Sequence, residues 1–373
     1  MKIKIKNSTV SLWCFILVVA IGLTNLNATI WKNSFEDIIF NGGKFLSFFL
    51  LLAGFFLMSY FKKKKDEKLE KASSNAWRYT LKTYSKLYPA LLGGVSLAFI
   101  VKNVIEGTKI TELFSLFMNS LWEFIGLSQV GTFGNALGNA GLWNGPLWII
   151  SAIIISSLIL YYILSKNEDF FVGLFAPVLI IFTTASVTLT NSWISGIGNG
   201  LFRVMSIMSL GVLMYYVVRY FKNKKFSENL TLAFSFVHIG LALFIIYTCF
   251  KGFTWNEFSN VIVSFIFLVV LLTNKDYISA LYNNSKICEF LGNISLYYYA
   301  CHIVFALLLS TIFPEMGYHA SIIFNVLFSF CWAFIMYYFD EFVITPIFRK
   351  DEIEEKNIEK KKPKKLNKKK IIA

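Results

Sequence analysis

Pro146-Leu147-Trp148-Ile149-Ile150-Ser151-Ala152-Ile153-Ile154-Ile155-Ser156-Ser157-Leu158-Ile159-Leu160-Tyr161-Tyr162-Ile163-Leu164 runs for nineteen residues without a charged side chain. A bilayer core of about 30 Å takes about 20 apolar residues in a helix, so this stretch is long enough to cross. Backbone amides in hydrocarbon must be paired within the chain, which makes such a span a helix and not an open sheet. Similar stretches recur at Val10–Leu26, Ile38–Tyr60, Tyr88–Val104, Phe170–Leu189, Leu201–Phe221, Leu230–Phe250, Phe258–Thr273, Phe290–Ile312 and Ala320–Tyr338. The fold class this predicts is all-α: a polytopic membrane protein of about ten transmembrane helices in one bundle.

Composition agrees. The chain is 56% hydrophobic and only 16% charged, against about 25% charged in a soluble domain. The net charge of +14 is mostly lysine at span ends, as in Lys62 to Lys65 and Lys360 to Lys370. That distribution points to anionic inner-leaflet lipid as the neighbour and not to nucleic acid. The positive-inside rule makes 61–87, the Lys222–Lys225 loop and the tail cytoplasmic, with both termini inside. Lys2, Lys4 and Lys6 lead the first span as in a signal peptide, but no small-residue cleavage site follows clearly, so a retained helix is expected. Five scattered cysteines show neither metal nor disulfide spacing, and no metal is expected.

Leu113 to Ser128 is apolar enough for an eleventh span, yet a crossing there would reverse the lysine-rich loops. With Asn119 and Glu123 inside it and Gly131, Gly134, Gly138 and Gly141 behind it, it reads as a re-entrant or interfacial helix on the outer side. Residues 1–349 form one membrane domain. Residues 350–373, mixing Lys with Glu without apolar periodicity, read as a Lys-rich cytoplasmic tail, disordered or resting on the inner leaflet.

Ionisable groups inside spans cost about 2.5–3.5 kcal/mol at the helix centre, which makes each a functional suspect. Lys44 and Lys102 lie near span ends and are expected to snorkel. Arg203 follows the Gly-rich loop Ser195–Gly200 and is read either as an interfacial anchor or as a group that binds an anionic or catalytic partner. His302 shares a helix face with Ser295, Tyr298 and Tyr299, three or four residues apart. An imidazole on that hydroxyl-rich stripe suits proton transfer. His238, among Phe236, Val237 and Ile239, reads as structural, and His319 falls in an outer loop. Arg78, Lys82 and Lys86 recur every four residues before Pro89, either as topology signals or as a docking face for a phosphate-bearing cytoplasmic donor.

Five segments in order resemble the membrane-bound acyltransferase 3 family. They are Phe49-Leu50-Leu51-Leu52-Ala53-Gly54-Phe55, the basic stretch ending at Tyr88-Pro89, Gly145-Pro146-Leu147-Trp148-Ile149-Ile150-Ser151-Ala152, Phe202-Arg203 through Gly211, and Leu291-Gly292 through His302. The resemblance implies transfer of an acyl group, typically acetyl from acetyl-coenzyme A, to a sugar hydroxyl of a surface polysaccharide or glycolipid precursor. It also implies a bacterial cytoplasmic membrane. In those terms His302 is the catalytic candidate, and Arg203, Ser295, Tyr298, Tyr299 and Trp148 are the substrate-binding ones. Arg78, Lys82 and Lys86 would hold coenzyme A.

Two departures stand out. The family's first helix carries a histidine eleven residues after a basic residue, whereas Lys6 counts eleven forward to Leu17 and no histidine lies in Val18–Asn27. Its only polar candidates are Thr24, Asn25 and Asn27. Lysines 82 and 86 also replace the usual arginine pair, giving point charges without a bidentate fork. The alternative function is non-enzymatic, an exporter or flippase of a polysaccharide or lipid-linked sugar. Few charges within the spans and no inverted repeat weigh against it.

Overall fold

The computed structural model describes residues 7–30, 45–64, 71–128, 143–190, 199–251 and 257–348, and every regular element among them is helical. Lys2, Lys4, Lys6, Lys44, the glycines from 131 to 141, the loop 191–198 and the tail from Arg349 lie outside the described residues. The helices are α1 Ser8–Ile30, α2 Leu46–Lys64, α3 Ala72–Glu106, α4 Ile110–Asn119, α5 Leu121–Phe124, α6 Trp148–Lys166, α7 Ala176–Thr190, α8 Asn199–Asn223, α9 Glu228–Lys251, α10 Glu257–Thr273, α11 Tyr277–Leu281, α12 Lys286–Ile312 and α13 Tyr318–Phe339. A π turn, Phe171–Phe175, leads into α7, and another, Asp340–Ile344, carries α13 on to Phe348.

Nine helical runs among the described residues are long and apolar enough to cross a membrane. The tenth span expected from sequence is α10, whose 17 residues sit at the short end of the crossing range of about 17–25. The protein is an all-α multi-pass membrane protein. The Leu113–Ser128 stretch breaks into α4 and α5 at Ser120. At ten residues, α4 is about 15 Å long and cannot cross. It buries no side chain, and Ile110, Phe114 and Met118 form an exposed apolar stripe along it.

Burial sorts the spans into two shells. The spans Gly145–Lys166 and Lys286–Ile312 are 61% buried in their most apolar window, whereas Glu168–Ser186, Glu228–Cys249 and Tyr318–Ile344 are 17% buried. α6 and α12 are therefore central, and α7, α9 and α13 turn Phe182, Leu243 and Ile323 outward. α12 packs against α1, α3 and α13, while α2 packs against α8. Two glycines make that last contact possible. A methyl group on Gly54 would stand 1.9 Å from the Met208 carbonyl oxygen, and one on Gly211 2.2 Å from that of Leu51. Without a hydrophobic drive between helices in lipid, this backbone-to-backbone approach is what holds such a pair.

The basic helix ends collect on one face. Lys62 at the end of α2 pairs with Glu168, which also accepts from Tyr216 Oη of α8 at 2.6 Å. Lys275, after α10, donates to carbonyls at and just past the end of α8, those of Lys222 (2.7 Å) and Lys224 (2.5 Å). Asn7, just before α1, donates to Leu271 O. His238, read from sequence as structural, donates from Nδ1 to Oδ1 of buried Asp276 at 2.9 Å. Asp276 in turn caps α11 by accepting from Ser279 N at 2.8 Å. Burial pushes the Asp276 carboxyl up, but the hydrogen bonds from His238 and Ser279 outweigh it and hold it below the usual carboxylate range.

Candidate active site

α1 and α12 run parallel in direct contact. Gly292 meets Ser11 near the start of the pair, and Gly22 meets Tyr298 and His302 further along. This pairing brings a first-helix side chain to the histidine: Asn25 Nδ2 lies 2.8 Å from His302 Nε2. The other ring nitrogen, Nδ1, lies 2.7 Å from the carbonyl oxygen of Tyr299, one turn back on the same helix. A carbonyl only accepts, so Nδ1 carries the hydrogen, and Nε2 presents its lone pair to the Asn25 amide. His302 is fully buried. Its own carbonyl accepts from Asn325 Nδ2 of α13 at 3.1 Å, so ring and backbone are both fixed.

The four residues of the predicted stripe are all buried, but they divide their work. Ser295 turns its hydroxyl onto Gly292 O at 2.7 Å. Tyr299 donates its hydroxyl to Pro146 O at 2.7 Å, tying α12 to the turn that starts α6. Tyr298 lies nearly parallel to the imidazole, at 8° with 6.4 Å between centroids. Its hydroxyl has no hydrogen-bond partner among the described residues. Arg203 is half-buried near the start of α8. Trp148 opens α6, half-buried against the core. Arg78, Lys82 and Lys86 lie in the first half of α3. Arg78 is exposed and the lysines are half-buried, with Lys82 Nζ 5.4 Å from the centre of the Tyr60 ring.

A polar knot closes the site on the side away from the basic ends. Both carboxylate oxygens of buried Glu123 accept backbone N–H groups, from Asn144 at 2.7 Å and Trp143 at 2.8 Å. Asn144 then bridges α3 and α12 with its amide, donating to Gly94 O at 3.2 Å and Ala300 O at 2.7 Å. Lys102 lies near the end of α3. Its ammonium sits 5.6 Å from the Trp143 ring centre. Burial pushes the Glu123 carboxyl up, against the two amide bonds and the nearby Lys102. Sequence reasoning singled out Glu123 only as a polar position, since a carboxylate clamping backbone amides leaves no side-chain pattern to read.

The arrangement presents one imidazole of fixed tautomer, shielded from solvent, whose Nε2 lone pair meets a neutral amide from α1. It suits proton transfer from a hydroxyl. Among the described residues no group of three or more His, Cys, Asp or Glu is placed to hold a metal.

No curated protein and no solved structure matches the chain. A family model described as an acyltransferase domain matches residues 10–338, which takes in α1 with Asn25, the Lys-bearing start of α3, and α12 with His302. A buried histidine held between the first and twelfth helices of a membrane bundle is thus part of a chain that belongs to the acyltransferase 3 family, the membrane acyltransferases.

Proposed function

We propose that the protein moves an acyl group, acetyl in the simplest case, from acyl-coenzyme A to a hydroxyl of a cell-surface polysaccharide or glycolipid precursor. The basic face is read as cytoplasmic, with both termini on that side of the cell membrane and anionic lipid around it. The single observation that carries this reading is His302: buried, fixed in one tautomer, with Nε2 as the free-pair nitrogen. As general base it takes the acceptor's proton, and Tyr299 O holds the ring while it does so. Arg78, Lys82 and Lys86 fit the phosphates of the donor as cations repeating every four residues on α3. They precede Gly94, which touches Ala300, by about 24, 18 and 12 Å along the helix axis. A long thioester arm held by those cations then points along α3 toward the histidine. Arg203 and Trp148 serve the acceptor side in this reading, with Ser295 bracing the helix between.

The test is surface-glycan O-acetylation, read by mass spectrometry in cells carrying wild type or His302→Ala. Loss of a general base lowers the rate by about 10²–10⁴. Unchanged acetylation removes His302 from the chemistry. Movement of labelled glycan by the reconstituted protein without consumption of acetyl-coenzyme A favours the exporter instead.

A further inference from the structure

Acyl transfer needs a base for the hydroxyl and also donors for the carbonyl oxygen, which takes up negative charge as the new bond forms. His302 supplies the first, and the residues around it fall short of an obvious second. α1 carries no charged side chain from Ser8 to Ile30, and the other stripe hydroxyls are spent on Gly292 O and Pro146 O. What remains against the imidazole is a pair of neutral donors from facing helices.

One is Tyr298 Oη. It is fully buried on the turn before His302, and no described residue accepts from it. An unbonded buried hydroxyl is costly, so a packed interior normally satisfies or removes it. The other is the Asn25 amide, already at Nε2. Both adjoin His302, Asn25 through Nε2 and Tyr298 with its ring nearly parallel to the imidazole. A methyl group on Gly22, one turn before Asn25 on α1, would stand 3.4 Å from both Tyr298 Oη and His302 Cβ, so Gly22 keeps this side of the imidazole narrow and clear of side chain.

We propose that Tyr298 Oη and the Asn25 amide are the oxyanion donors of the reaction, taking a thioester carbonyl between them. The assignment rests on His302 acting as the base. At rest Asn25 keeps the acceptor's place at Nε2. When the acceptor hydroxyl binds, it displaces the amide, which turns by one side-chain rotation toward the carbonyl oxygen. His302 Nε2 takes the hydroxyl proton as the acceptor oxygen bonds to the acyl carbon, and the carbonyl electron pair moves onto its oxygen between Asn25 and Tyr298. That pair then re-forms the carbonyl, the carbon–sulfur bond breaks, and the proton on Nε2 passes to the departing thiolate. In this chain the first helix, which has no histidine from Ser8 to Ile30, therefore brings an amide to the imidazole of the twelfth.

The experiment compares Tyr298→Phe, Asn25→Asp and His302→Ala as full-length proteins in detergent, reading kcat, donor KM and thermal unfolding. Phe keeps the ring and deletes only an unbonded hydroxyl, so Tm is expected to hold or rise while kcat falls about 10²–10³ with donor KM unchanged. Asp keeps the shape of Asn25 but offers no N–H, and the same fall in kcat is expected. Wild-type kcat in both variants beside an inactive His302→Ala overturns the oxyanion pair and leaves the base standing. A fall in kcat that only tracks a lowered Tm overturns it too. An active His302→Ala overturns the base and the pair with it.

Discussion

Gly94 meets Ala300 so closely that a methyl group on it would stand 2.4 Å from the Ala300 carbonyl oxygen. Asn144 locks the contact by donating to the carbonyls of both residues. Because Ala300 is two residues from His302, this glycine sets where α3, the helix with the basic stretch, stands relative to the imidazole. The obstructing atom is backbone, so Gly94→Ala forces the helices apart. A loss of about 1–3 kcal/mol is expected, as for overpacked cores, together with reduced acyl transfer. Gly240→Ala is the matched control: nothing lies within 4 Å of an added methyl group there, and better helix propensity is expected to stabilise by up to about 1 kcal/mol. Thermal unfolding of both variants in one detergent checks the pair, and equal Tm values would contradict the close contact.

Much of this arrangement was legible in the sequence, and its limits have a physical cause. The spans Pro146–Leu164 and Phe290–Ile312 read correctly as α6 and α12 because hydrocarbon admits only internally bonded backbone. His302, Tyr298 and Tyr299 stood out as polar groups on an apolar helix. Periodicity placed Ser295 on their face, but a face says nothing of a hydroxyl that bonds its own helix at Gly292 O. Asn25 was visible as one of three polar residues near the end of the first span, yet its partner is 277 positions away. Helix pairing across that distance has no local signal. Asp276 drew no notice in a short polar loop, and it is what makes His238 more than a filler of the core.

The His238–Asp276 pair gives stability a defined dependence on acid. Hydrogen bonds from His238 and Ser279 hold the Asp276 carboxyl below its ordinary value of 3.8. A lowered folded value means the native state binds this proton less tightly than the unfolded chain. The contribution is therefore complete above the usual carboxylate range and is lost as pH falls below about 4. Asp276→Asn is expected to lower Tm at pH 7 and to flatten the acid limb of the Tm profile below pH 4. An acid limb as steep as in wild type would place the sensitive carboxylate elsewhere.

If Lys82 and Lys86 meet the donor as point charges, their effect belongs in donor binding and not in turnover. Lys82 is half-buried with its ammonium over the Tyr60 ring, so its removal takes away charge and some packing. Exposed ion pairs contribute about 0.2–1 kcal/mol each, which predicts a rise in acetyl-coenzyme A KM of up to about fivefold for each of Lys82→Ala and Lys86→Ala, with kcat unchanged. Salt screens such pairs over about 10 Å at 0.1 M, so added salt raises the wild-type KM and affects the double variant less. Acetyl-pantetheine, which lacks the nucleotide phosphates, separates charge from packing. Its KM is expected to be the same for wild type and double variant, since it offers nothing for the lysines to bind. A parallel loss with both donors would mean that the lysines only hold α3 in place.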